Sequence, residues 1–268
     1  TYFHNCYCDS LNDVSLAITT MNTVSGNERT AITERAYSVS GTTVTGLQEF
    51  GQVWSNTADN ITSLVLGCSQ TGGIGVGSRI ILLKKVNSTD GMKTGTLDVL
   101  GSVKGAWEMI YSDTLSSAST TETISGLTGN TDVIYKLIVR VVDGAAESTA
   151  FYYRLNNDSG GNYGYQMLYG ADTTSGAGRA GSQAYNDLMN LNSQMGMVEV
   201  LLYAKSGYER VGLKNSSYQI SGTTIGAIKM DGHVWSNTSD EIISILIGAD
   251  DANGLGIGTH IELWRLNL

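Results

Sequence analysis

SGNERTAITERAYSVSGTTVTGLQEFGQVWSNT (Ser25 to Thr57) returns as SGYERVGLKNSSYQISGTTIGAIKMDGHVWSNT (Ser206 to Thr238), and this return decides how the rest of the chain is read. The match runs without a gap from Ser25–Lys84 onto Ser206–Arg265 at a constant offset of 181, ending with GIGVGSRIILLK (Gly73 to Lys84) against GLGIGTHIELWR (Gly254 to Arg265). Roughly 24 of 60 positions are identical, far above what shared composition produces. Carried upstream, the offset sets Thr1 opposite Ser182, so the stretch from Gly105 to Gly181 has no counterpart in the first copy. The expected organisation is the C-terminal half of a first copy over 1–86, a linker over 87–104 and a complete second copy over 105–268. A β-fold cut through its middle leaves strand edges and half a hydrophobic face open, so the first copy needs completion by other residues or by a neighbouring subunit. A first residue of Thr, with no initiator Met and no signal peptide, agrees with an incomplete or processed N-terminus.

The pattern between the repeats is that of strands. Ile134–Val142, Ser148–Asn156, Met197–Ala204, Ile61–Leu66 with its partner Ile242–Ile247, and Arg79–Lys84 with its partner His260–Arg265 are short runs rich in β-branched and aromatic residues. Gly, Asn, Ser and Asp bound them. Tyr185–Leu191 is the best candidate for a short helix. Strands at this spacing predict an all-β chain of two tandem antiparallel β-sandwich domains of jelly-roll type, the first present only as its C-terminal half. Turns must rely on Gly and Asn, because the chain has 33 glycines and no proline. We have no physical account of the missing proline.

Composition removes several function classes. A net charge of −9 with 16 scattered basic residues argues against nucleic-acid binding through phosphate neutralisation. No apolar run reaches the length of a membrane-spanning helix, so no membrane insertion is expected. Cys6 and Cys8 sit two apart on an apparent strand, a poor geometry for bridging each other, and Cys68 stands alone, so free thiols are expected.

Side chains that can carry chemistry are few. Of the three histidines, His4, His233 and His260, the last two replace Gln52 and Arg79 of the first copy, so neither position requires an imidazole. No nucleophile elbow or Ser/His/Asp set is visible, and the chain is expected to be no enzyme. Gly73–Gly77 resembles a phosphate loop only superficially, since it leads into a strand rather than a helix. Gly75, Gly256, Gly77 and Gly258 are instead expected to form a repeated tight turn. Asp250, Asp251 and Asn253 offer oxygen ligands for calcium, but the equivalent Ser69–Gly72 lacks carboxylates, so neither metal nor cofactor is expected. Trp54 and Trp235, at identical repeat positions, read as packing anchors, with sugar stacking as the competing role. Tyr153, Asn156, Asn157, Asp158, Asn162, Tyr163 and Tyr165 combine amphipathic rings with amides, the usual materials of a glycan or protein contact surface, with core packing as the competing role.

Three runs, Trp107–Ser117, Ile124–Leu137 and Phe151–Gly170, followed by the closing Gly254–Trp264, resemble the jelly-roll structural domains of tailed-bacteriophage particles. The recurrent family pattern matches Arg154, Asn156, Asp158, Gly160, Asn162, Tyr163 and Tyr165, and its terminal strand matches Gly258, Ile261, Leu263 and Trp264. The resemblance covers Gly105–Leu268 directly and Thr1–Lys84 through the repeat. It implies a virion-surface structural protein, a fibre or spike component with other virion proteins as partners, a homotrimeric state and a host-surface glycan as candidate ligand. A capsid decoration protein and a free carbohydrate-binding module are the alternatives.

Overall fold

A computed structural model of the chain describes residues 14–21, 25–26, 28–68, 74–82, 107–145, 147–171, 173–192 and 194–266. It is all-β apart from one four-residue helix among the described residues. In chain order the elements are β1 (Val14–Met21), β2 (Arg29–Ser40), β3 (Thr43–Trp54), β4 (Trp107–Thr114), β5 (Thr121–Ser125), α1 (Gly129–Asp132), β6 (Ile134–Val142) and β7 (Ser148–Leu155). They continue as β8 (Tyr163–Ala171), β9 (Thr174–Gln183), β10 (Asn186–Asn192), β11 (Met195–Tyr203), β12 (Arg210–Ser221), β13 (Thr224–Trp235), β14 (Ser244–Ala249) and β15 (His260–Leu266).

From residue 107 onward the strands form a two-sheet sandwich. The smaller sheet has the order β10-β7-β14-β5, and the larger one begins β4-β15-β6-β11. Successive strands alternate between these two four-strand sets, which is the jelly-roll arrangement. Two hairpins are inserted into this plan. β8–β9 follows β7, β12–β13 follows β11, and together they widen the larger sheet to eight strands by adding β12-β13-β8-β9 beyond β11. Alternation explains the core. Tyr135, Leu137, Val139 and Val141 of β6, Val198, Val200 and Leu202 of β11, and Ile261 and Leu263 of β15 meet Phe151, Tyr153 and Leu155 of β7 and Ile245 and Ile247 of β14 between the sheets. Each such side chain contributes about 1.5–3 kcal/mol by burial.

The first copy supplies a third layer. β1, β2 and β3 make a three-stranded sheet, and the bounds of β2 and β3 shifted by 181 are those of β12 and β13. This sheet stacks on the outer face of the larger one, where Ala36, Val39, Val44 and Leu47 bury against Val211, Leu213 and Val234, with Val14, Leu16, Ile18 and Met230 at the margin. Gly232 sits at the closest approach. A methyl group there would lie 2.7 Å from the Ala36 side chain. The tip of the β2–β3 hairpin comes closer still, since a methyl on Gly164 of β8 would overlap the Thr42 backbone.

Three expectations are corrected. Ile61–Leu66 and Arg79–Lys84 were expected as strands, but the described residues 61–68 and 79–82 form none, and Lys84 lies outside the described residues. Val65 is 91% and Leu82 76% exposed, whereas their copies Leu246 and Leu263 are buried. The reason is pairing. β14 is held by β5 and β7, and β15 by β4 and β6, all from the stretch that the first copy lacks. Tyr185–Leu191, expected as a helix, is largely β10. A register shift between Asp187 and Met189 lets Leu188, Met189 and Leu191 all bury, and that broken alternation imitates helical spacing. The linker expected over 87–104, together with His4, Cys6 and Cys8, lies outside the described residues; Cys68 is exposed and free.

Candidate functional site

The residues expected to form a contact surface surround the turn between β7 and β8. Asn156 and Asn157 both adopt φ 53°, the left-handed conformation that asparagine tolerates better than most side chains. Asn156 donates to the Glu241 carbonyl at 2.7 Å and accepts from the amides of Ile243 at 2.9 Å and Ser244 at 3.2 Å, tying the turn to the approach to β14. Asp158 accepts from Trp235 Nε1 at 2.7 Å, from Asn162 Nδ2 at 2.9 Å and from the Gly160 amide at 2.8 Å. Burial opposes ionisation of this carboxyl, but those three donors and nearby Arg154 outweigh it and hold its pKa below the usual range. Asn156, Asp158 and Asn162 are thus committed to internal bonds, while Asn157 is exposed.

The tyrosines divide between inside and outside in the phase opposite to the one expected. Tyr153 and Tyr163 are buried. Tyr153 accepts from Asn186 at 2.9 Å, and Tyr163 bonds the Leu155 backbone while stacking on Trp235 at 6.4 Å. Tyr165 is half-buried opposite His233. The outward side of β7 carries Tyr152 and Arg154. Tyr152 lies over Gly248, where a methyl would strike its ring, and Tyr185 stacks on it with ring centroids 4.7 Å apart. The Arg154 guanidinium sits 4.9 Å from the Tyr152 ring centre, 6.0 Å from that of Tyr185, and donates to the Ala184 carbonyl at 3.1 Å. Tyr185 and Arg154 remain half-exposed, making a flat aromatic and cationic platform on the outer face of the smaller sheet.

Both tryptophans sit in the same local assembly. Arg29 lies 5.1 Å from the Trp54 ring centre and Arg210 5.1 Å from that of Trp235. Arg29 donates to the carbonyls of Asn56 and Asp59, and Arg210 to that of Asp240. Asn56 and Asn237 each bond the aspartate three residues on, at 2.7 Å. Trp235 is buried and Trp54 half-buried, so the motif holds the end of each hairpin. The glycine turn also recurs. Gly77 and Gly258 take φ 91° and 86°, and the amides of Ser78 and Thr259 bond the carbonyls of Gly75 and Gly256. Gly256 packs against the Val142 carbonyl, whereas Gly75 has open space.

A buried polar layer was not legible as a unit. Lys214 of β12 pairs with Asp231 of β13 and donates to the Asp187 carbonyl at 2.6 Å, with Asp187 and Lys229 at the rim. His233 is enclosed beside Tyr153, in space left by Gly212. Burial, then the Lys214 charge, pushes its pKa down to about 3. Asp231 is shifted the other way, upward, by burial that its Lys214 partner only partly offsets. The first copy carries Thr33, Phe50 and Gln52 at the positions of Lys214, Asp231 and His233, and there Gln52 donates to Thr33 at 2.9 Å. In the acidic loop, Asp250 accepts from the Ala150 amide at 2.7 Å and Asp251 from Thr149 at 3.1 Å. These carboxylates fasten the loop to β7. No protein-family model, curated protein or solved structure matches this chain.

Proposed function

We propose that the chain is a non-enzymatic structural protein of a tailed-phage virion surface, a fibre or spike component that assembles as a homotrimer with other virion proteins. The observation that carries this reading is the three-layer stack, in which two copies of one jelly-roll pattern lie with outer sheet face against outer sheet face around a shared apolar layer. Such a block suits a building element of an extended particle. The strongly shifted groups support a structural role, since Lys214, Asp231 and His233 are enclosed between sheets and replaced by neutral residues in the other copy. A host glycan would meet the outward platform of Tyr185 and Arg154, with Asn157 on the neighbouring turn, rather than the enclosed Tyr153 and Tyr163.

Immunogold labelling of intact particles with antibody against this chain tests the reading. Label at fibre or tail tips supports it. Label over the whole head, with copy number in proportion to the major capsid protein, assigns decoration instead, and particles without label would sink the virion assignment in favour of a free binding module.

A further inference from the structure

We infer that this chain associates with further copies of itself head to tail, through a repetition of the contact that joins its own two copies. The inference stands on the repeat and goes beyond the particle reading. Inside the chain, one face of the β1–β3 sheet, carrying Val14, Leu16, Ala36, Val39, Val44 and Leu47, lies on one face of the β12–β13 hairpin, carrying Val211, Leu213, Met230 and Val234. Call the first the donor face and the second the acceptor face. Because both sheets derive from one repeated sequence, each copy bears both faces, and each copy uses only one of them inside the chain.

The two unused faces are apolar and open. The second copy's donor face consists of Met195, Met197, Ser217, Ile220, Ile225 and Ile228, each 181 residues beyond its counterpart. The register is the same, since Leu16 pairs across to Ala36 and Ala36 to Leu47, while Met197 pairs to Ser217 and Ser217 to Ile228. Ile228 is 62% and Met197 53% exposed. The first copy's acceptor face consists of Thr30, Ile32, Glu49 and Val53, with Gly51 at the position of Gly232. There Ile32 is 54% and Val53 51% exposed, whereas Leu213 and Val234 are covered. Contiguous exposed apolar patches of this kind mark association surfaces.

The fit names the occupant. The cover seen on Leu213 and Val234 is the donor face of this same sequence, so the partner for Ile32 and Val53 is the donor face of a second molecule. Two differences weaken the copy relative to the original. Ser217 and Glu49 replace Ala36 and Met230, and the seat for the hairpin tip at Gly164 and Gly181 lies in β8–β9, outside the duplicated stretch. Association between molecules is therefore reversible and concentration-dependent. A donor face meeting a different acceptor face is a heterologous contact, which closes into a ring or propagates as a filament.

Sedimentation velocity of the full chain between roughly 1 and 100 µM tests this. The wild type is expected to associate, and Ile228→Lys or Ile32→Lys each to weaken association at least tenfold, with unchanged near-UV circular dichroism because both side chains are exposed. Mixing the two variants leaves one intact donor face and one intact acceptor face, so the mixture is expected to stop at a dimer. A wild type that stays monomeric throughout overturns the inference. So does an Ile32→Lys variant that assembles like wild type, because that result means donor faces pair with each other. Particle labelling is a separate readout, so failure of the virion reading and failure of this contact are distinguishable.

Discussion

Replacing Gly232 by alanine tests the stacking of β1–β3 on the larger sheet at its tightest point. The added methyl would lie 2.7 Å from Ala36 Cβ, 3.3 Å from Leu47 Cδ1 and 3.4 Å from Val44 Cγ1. Carbon atoms settle about 3.5–4.0 Å apart, so the layers must separate by roughly 1 Å or the strands must bend. Overpacking of that kind costs about 1–3 kcal/mol, offset by the ~0.5–1 kcal/mol that alanine gains over glycine within a strand, for a net loss of about 0.5–2 kcal/mol. The repeat supplies its own control. Gly51 occupies the same position in the first copy with nothing within 4 Å of the added methyl, so Gly51→Ala is expected to stabilise by about 0.5–1 kcal/mol. Urea unfolding followed by tryptophan fluorescence measures both, and the two midpoints are expected to move in opposite directions. Adding Ala36→Gly to the Gly232 variant removes the opposing methyl, and a double-mutant cycle should return a coupling of about 1–2 kcal/mol. Equal midpoints for the two single variants, or zero coupling, would refute the stacked arrangement.

Three other outcomes follow from the sandwich interior. Lys214→Thr strands the Asp231 carboxylate in the core and is expected to cost about 3–5 kcal/mol in urea unfolding, while Lys214→Thr with Asp231→Phe, the residues of the first copy, should recover most of it. Because His233 has a folded pKa of about 3, below its ordinary 6.5, the unfolded chain takes up the proton first. Its enclosure therefore lowers stability progressively as pH falls from about 6.5 towards 3, and His233→Gln should flatten that part of a stability profile. Trp235→Phe removes the indole donor to Asp158 and should cost about 1.5–3 kcal/mol. It should also start acid unfolding at a higher pH, since a depressed carboxyl pKa contributes stability above its unfolded value that is lost as pH falls through the folded one.

The sandwich was readable because its strands alternate cleanly and because turns recur at the same places in both copies. Ile134–Val142 was found with its observed bounds for that reason. Ile61–Leu66 was misread because a strand needs a partner as well as a pattern, and the partner strands of its copy lie in a stretch that was never duplicated. Tyr153 was placed outward because alternation fixes which residues share a face without fixing which face is buried, and the run Phe151-Tyr152-Tyr153 is apolar in either phase. Phe151 and Leu155 at the inner positions, together with the Asn186 bond, settle the phase. The Lys214–Asp231 pair left no local signal, since the two residues meet only across a hairpin 17 residues apart.

β4 to β7 match two sets of acceptors in one chain, the later β14 and β15 and the earlier 61–68 and 79–82. During synthesis the earlier set leaves the ribosome first, and it lies nearer in sequence, because position 82 precedes β4 by only 25 residues whereas β14 begins 89 residues after β7 ends. Shorter loops close faster and at lower entropic cost. Pairing with the earlier set yields a circularly permuted jelly roll, so translation order and final pairing pull against each other. The divergence of Ile81 and Leu83 into Glu262 and Trp264, whose side chains bond each other at 2.9 Å, gives the later acceptor a signature of its own.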